Sequence, residues 1–220
     1  MTPNNPLSIA QEAHAYDLQG QMEKAESGYR AALQIDPKLD QANLGLGRIL
    51  VLKGELRDAL AHFVSISETA ANTRLRAEGA YSAGTVSQAL NRPTSAEEFM
   101  RLSTTTDPEY ALGWVGLGTV LFNKAISTPS AISSADRVNL LSASFQALQK
   151  AISINSKQTA AYYQIGIESA ALGKTEIARK FLHEALVIAP ADVSLNGRQR
   201  QAIVKSISVA LSVIENSSTK

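Results

Sequence analysis

The chain has 220 residues with 21 basic and 20 acidic side chains, a net charge of +1, and is 45% hydrophobic but only 19% charged. That apolar content excludes a disordered chain, and charge spread without a basic block excludes the clustered phosphate-binding face of a nucleic-acid partner. There is no cysteine, which excludes disulfides, thiolate metal sites, iron–sulfur clusters and cysteine nucleophiles.

The chain opens MTPNNPLSIA, without the basic start and apolar run of a secretory leader. No apolar run approaches the ~18 residues of a membrane span. The expectation is a soluble chain with no transmembrane segment, cytoplasmic, or periplasmic where a leader has been cleaved. From there a pattern recurs. Gly20 is followed by Ala25, Tyr29, Ala32 and Pro37, and Gly54, Ala59 and Phe63 repeat the first three positions thirty-four residues on. Ala80, Gly84, Asn91, Ala96, Met100 and Pro108 give a weaker third copy, and Gly173, Ala178, Leu182, Ala185 and Pro190 a further clear one. Upstream in the units stand Leu46-Gly47, then Trp114 with Leu117-Gly118, then Tyr162 with Ile165-Gly166.

Each position has a physical reading. The small residue of a first helix lets a second helix pack closely, and the second helix's alanine and aromatic meet the neighbouring unit. The glycine between them permits a tight turn, and the proline ends the second helix because it lacks an amide hydrogen. Within 123–138 lies an insertion in which Ser133 or Ser134, followed by Asp136, reads as a helix start. Leu140, Leu141, Phe145, Leu148, Ala151 and Ile152 then continue at helical spacing. This predicts a prolonged helix pair joined by a Ser/Thr/Pro loop, either a protruding binding element or a tolerated surface loop. From Arg198 to Glu215 an apolar stripe of Ile203, Ile207, Ala210, Leu211 and Ile214 predicts a terminal helix covering the last repeat, with a frayed end.

The pattern resembles the tetratricopeptide repeat, W-x2-L-G-x2-Y, then A-x3-F, then P, over 34 residues. The resemblance implies an all-α, right-handed α-solenoid of about five helix pairs, at 6–39, 40–73, 77–110, 111–158 (with the insertion) and 159–192. A capping helix at 193–216 and a disordered tail at 217–220 would follow. It also implies a concave face lined by the first helix of each unit. Carried onto this chain, the partner-binding positions are Leu44, Arg48, Tyr81, Thr85, Gln88, Val115, Phe122, Tyr163, Gln164 and Ile167. The apolar members would anchor a partner peptide or helix, and Arg48, Gln88 and Gln164 would set its register. The carboxylate clamp of co-chaperone members is missing: one frame gives Ala10, His14, Gly45, Glu78 and Ser82, and neither of the other two supplies the cationic, bidentate set that a carboxylate needs.

Nothing points to catalysis. His14, His62 and His183 fall in separate units without HExxH or other metal spacing, and the glycines at 113, 116 and 118 lack G-x-G-x-x-G order. The expectation is a non-catalytic adaptor for a protein or peptide, with no cofactor and no metal. Two alternatives stay open. Compact bacterial members of the family often serve pilus or secretion-system assembly, some as lipid-anchored periplasmic factors. The fourth-unit protrusion around Leu140, Leu141 and Phe145 could instead make a homo-oligomer.

Overall fold

A computed structural model describes residues 5–127 and 132–217. Among the described residues there are eleven α-helices and no strand. They fall into two compact units, Met1–Pro108 and Glu109–Lys220, each with its own apolar core.

The first unit holds three helix pairs: α1 (Pro6–Leu18) with α2 (Met22–Ile35), α3 (Asp40–Lys53) with α4 (Leu56–Thr69), and α5 (Thr73–Ala89) with α6 (Pro93–Thr106). Their starts are local chemistry. The Asn5 side chain accepts from the Leu7 amide with Pro6 at the first helical position, and the Asn72 side chain accepts from Leu75. Asn72 places the start of α5 at Thr73, ahead of the boundary at 77 expected from the repeat pattern. The turn from α3 to α4 passes through Gly54 at φ 79°, and Asn91 fills the matching place between α5 and α6 at φ 56°. Asparagine is among the few non-glycine residues that tolerate that left-handed geometry.

Packing follows the small residues. A Cβ on Gly47 would lie 2.7 Å from the Phe63 ring, and one on Gly84 would lie 2.9 Å from the end of Met100. Gly47 and Gly84 thus each seat the large side chain of their own hairpin partner. Tyr29 of α2 does meet the next pair, against Gly45 of α3, as the pattern predicts. Phe63 at the equivalent place leans on its own hairpin instead. His62 and Asn43 tie α4 to α3: the ring Nδ1 lies 2.8 Å from the Asn43 carbonyl oxygen, while the Asn43 amide donates to the Pro37 and Leu39 carbonyls. Burial lowers the His62 pKa, consistent with a neutral ring donating one hydrogen bond.

The second unit holds α7 (Ala111–Ser127) with α8 (Ser134–Ile154), then α9 (Thr159–Ala171) with α10 (Thr175–Ile188), and finally α11 (Gly197–Ser217). The insertion lengthens the first of these pairs, to 17 and 21 residues. Ser133 is the cap, its hydroxyl accepting from the Asp136 amide at 3.0 Å. Part of the expected connecting loop, residues 128–131, lies outside the described residues. Gly118 and Gly166 repeat the packing rule, with Leu148 and Leu182 as their large partners.

The terminal helix packs its predicted stripe as expected. Ile207, Leu211 and Ile214 are buried with Ala178, Leu182 and Ala185 of α10, and Ile203 and Ala210 pack beside them. It starts at Gly197 rather than 193 and runs to Ser217, the first residue of the expected tail. Residues 218–220 lie outside the described residues. The intervening segment is a clasp instead of helix. Fully buried Asp192 accepts from the Thr159 amide at 2.9 Å through Oδ2, and from the Ser194 amide and hydroxyl through Oδ1. Arg200 of α11 then donates to the carbonyls of Ala189, Asp192 and Leu195. Asp192→Ala should therefore cost about 2 kcal/mol, because the buried Thr159 amide loses its acceptor and the Ser194 amide and hydroxyl lose theirs. A urea midpoint equal to that of the parent protein would show that the clasp contributes nothing.

Candidate functional site

In the first unit the candidate face lies on α3 and α5. Leu44 and Arg48 are one turn apart on α3, and Tyr81, Thr85 and Gln88 follow one another at three- and four-residue spacing on α5, so each set shares a helix face. The Arg48 guanidinium donates to Glu78 of α5 at 2.8 Å, which bridges the two helices across this face. Leu44, Tyr81 and Gln88 are half-buried, and Thr85 is exposed with its hydroxyl donating to the Tyr81 carbonyl. Burial raises the Tyr81 phenol above its ordinary pKa, against an opposing hydrogen bond with Thr85. Arg48 thus already has an internal partner, and any ligand carboxylate must compete with Glu78.

In the second unit the expected positions divide. Val115 and Phe122 of α7 are only 7% and 3% exposed. They cannot be the accessible anchors that the repeat pattern suggested, since a side chain with no surface left has none to give a partner. Val115 packs with Leu148, Ala151, Ala161 and Ile165. On α9, Tyr163, Gln164 and Ile167 remain half-buried. The Gln164 amide is engaged, donating to Glu168 Oε1 at 3.2 Å.

Glu168 was not among the expected positions. It is 7% exposed, and its carboxyl oxygens lie 3.0 and 2.9 Å from the Ser144 hydroxyl of α8. That hydroxyl also sits 2.9 Å from the Gly118 carbonyl of α7. One hydroxyl proton cannot serve both acceptors at once. A protonated carboxyl resolves the conflict by donating to Ser144, which then donates to Gly118. Burial pushes the Glu168 pKa up to about 7, with Ser144 and Gln164 opposing the rise. The sequence did carry a signal: Glu168 is the sole charge between Lys157 and Lys174, in an apolar first helix.

A sequence profile described as tetratricopeptide repeat matches residues 18–82. The match spans the second, third and fourth helices and part of the fifth, where the glycine seats and left-handed turn already show the same hairpin. Over those residues the chain carries the tetratricopeptide repeat. Sequence comparison with curated proteins finds no match. Solved structures agree on the fold. YrrB, described as a tetratricopeptide-repeat protein with an unusual peptide-binding site, is 18% identical with TM-score 0.58, covering 93% of this chain and 94% of that one. PilW, described as a widely conserved type IV pilus biogenesis factor, is 15% identical with TM-score 0.65, covering 94% and 86%. PilF of Pseudomonas aeruginosa is 17% identical with TM-score 0.61, covering 96% and 88%.

Among the described residues no group of three or more His, Cys, Asp or Glu could hold a metal ion, and no helix is long and apolar enough to cross a membrane. What the arrangement offers chemically is half-buried apolar and aromatic surface on first helices, bordered by amide and hydroxyl groups. That chemistry suits binding.

Proposed function

We propose that this tetratricopeptide-repeat protein is a non-catalytic adaptor that takes a peptide or helix of a partner protein on the first-helix faces of its units. The observation that supports this most is the half-buried apolar surface that each unit carries, Leu44 and Tyr81 in the first and Tyr163 and Ile167 in the second, on a fold whose neighbours include a described peptide binder. Half-buried apolar side chains are held in place before binding, so little order has to be created when a partner covers them. Val115 and Phe122 are left out of the proposed contact, and Thr85, Gln88 and Gln164 border it.

The test is capture of partners from the source organism by the intact protein and by a Leu44→Glu/Ile167→Glu variant with unchanged helicity. The expected result is a protein retained by the first and lost by the second. A control Phe122→Ala should lower thermal stability by about 3 kcal/mol yet keep the partner at low temperature. Equal capture by the parent and the doubly charged variant would refute the face.

A second reading, a pilus or secretion-system assembly factor, is favoured by the likeness to PilW and PilF. Loss of surface pili in a deletion strain, restored by the parent gene but not by the doubly charged variant, is its expected result.

A further inference from the structure

The lengthened α8 has a consequence separate from the first-helix faces. Its first three turns carry Val138, Leu141 and Phe145, which line an open groove of about 580 Å³ together with Ile177 and Phe181 of α10. Glu168 and Leu172 of α9 form its floor. This apolar lining is unusually accessible: Val138 is 65% exposed, Phe145 44% and Ile177 46%. Single exposed apolar residues are ordinary, but several converging on one concavity mark an interaction site.

The rim is charged with one sign. Lys174, in the turn between α9 and α10, and Lys180 of α10 both line the groove and are exposed. Among the described residues neither makes an ion pair. The nearby Glu176 is taken by Arg179, with both carboxylate oxygens within 2.8 Å of the guanidinium. Glu168 is turned to Ser144 and Gln164 rather than to either lysine. The rim therefore offers two uncompensated positive charges beside an apolar trough.

We propose that the groove between α8, α9 and α10 is a docking site for an amphipathic helix of a partner protein, apolar on one face and acidic along its edge. Three features select that occupant. The trough takes apolar side chains, and the lysines take carboxylates. The walls are helices whose backbone groups are already paired within them, so an extended segment would bury its own amides and carbonyls unmet. A helix pairs its backbone internally and carries no such penalty. Sequence alone could place Leu141 and Phe145 on a protrusion but could not show the lysines opposite them.

The site does not depend on the first-helix faces, so either can fail alone. The probe is a fluorescein-labelled stapled helix with leucines on one face and glutamates along its edges, beside a twin carrying lysines for the glutamates. By fluorescence anisotropy at low salt, the full chain should bind the acidic helix at least about ten-fold more tightly than the twin, a difference two close ion pairs can supply. Lys174→Glu/Lys180→Glu should invert that preference. Phe145→Ser should weaken the acidic helix about ten-fold, with Leu44→Glu/Ile167→Glu leaving it unchanged. Should Phe145→Ser unfold the unit, the lysine pair, which is exposed, still decides. Equal binding of both helices, no binding, or an unaltered preference in the lysine variant would overturn the proposal. So would a concentration-dependent mass in light scattering that Phe145→Ser abolishes, which would give the groove to a second copy of the chain.

Discussion

Gly45→Ala should destabilise the first unit by about 2–3 kcal/mol in the parent protein, yet stabilise it once Tyr29 is removed. A Cβ at position 45 would lie 2.2 Å from Cζ of Tyr29 and 2.6 Å from its hydroxyl oxygen. The ring cannot swing away, since Tyr29 is only 1% exposed among the core residues packed around it. Its hydroxyl lies 3.5 Å from His14 Nδ1, at the outer limit of a hydrogen bond, so it is the packing that fixes it. Accommodating the methyl group therefore means moving α2 against α3. Tyr29→Ala alone should cost about 3–5 kcal/mol through the cavity it opens. In that background the methyl at 45 enters empty space, and alanine's better helix propensity should return about 0.5–1 kcal/mol. Denaturant unfolding of the four proteins gives the double-mutant cycle. Additive effects would show that α2 and α3 are not locked together through this contact.

That contact also shows why so much of the fold could be read from the chain. A repeat is legible because the residues it fixes are the ones with no substitute. Gly47, Gly84, Gly118 and Gly166 each lie under a large side chain, and Gly54 takes a backbone geometry that most residues avoid. Those constraints act over one hairpin, which is the range a sequence pattern reports. Where the outcome depended on a neighbouring surface, the pattern misled. Val115 and Phe122 occupy the helical positions of exposed anchors but are buried, because solvent access depends on everything packed around a side chain. Arg48 reads as a free hydrogen-bond donor until Glu78 arrives thirty residues later in the chain to meet it. The start of α5 at Thr73, beside its capping Asn72, lies close to where the 34-residue period falls, and the expected boundary at 77 had departed from that period. The groove beside α8 was half legible: its apolar wall followed from helical spacing, and its basic rim came from another helix.

Glu168 is the residue on which sequence was most nearly silent, and it carries the second large effect. In the unfolded chain its carboxyl has the ordinary value of 4.5, and in the folded chain burial holds it at about 7. Below about 4.5 it is protonated in both states, and above about 7 it is ionised in both. Between those values the folded chain keeps a proton that the unfolded chain releases, so stability falls as pH rises through the window. With the side chain almost fully buried, a shift of this size corresponds to about 3 kcal/mol. Other groups also titrate: burial lowers His62 within this range, and Glu26, held by Lys53 and Arg30 below its usual pKa, titrates at its acid edge. Comparison with Glu168→Gln removes their contribution, because glutamine keeps the shape and stays neutral. The variant should therefore gain on the parent by about 3 kcal/mol between pH 4 and pH 8, measured by urea unfolding at each pH. Parallel stability curves would mean that Glu168 is ionised with its ordinary affinity for protons. In that case the relay from its carboxyl through Ser144 to the Gly118 carbonyl does not form.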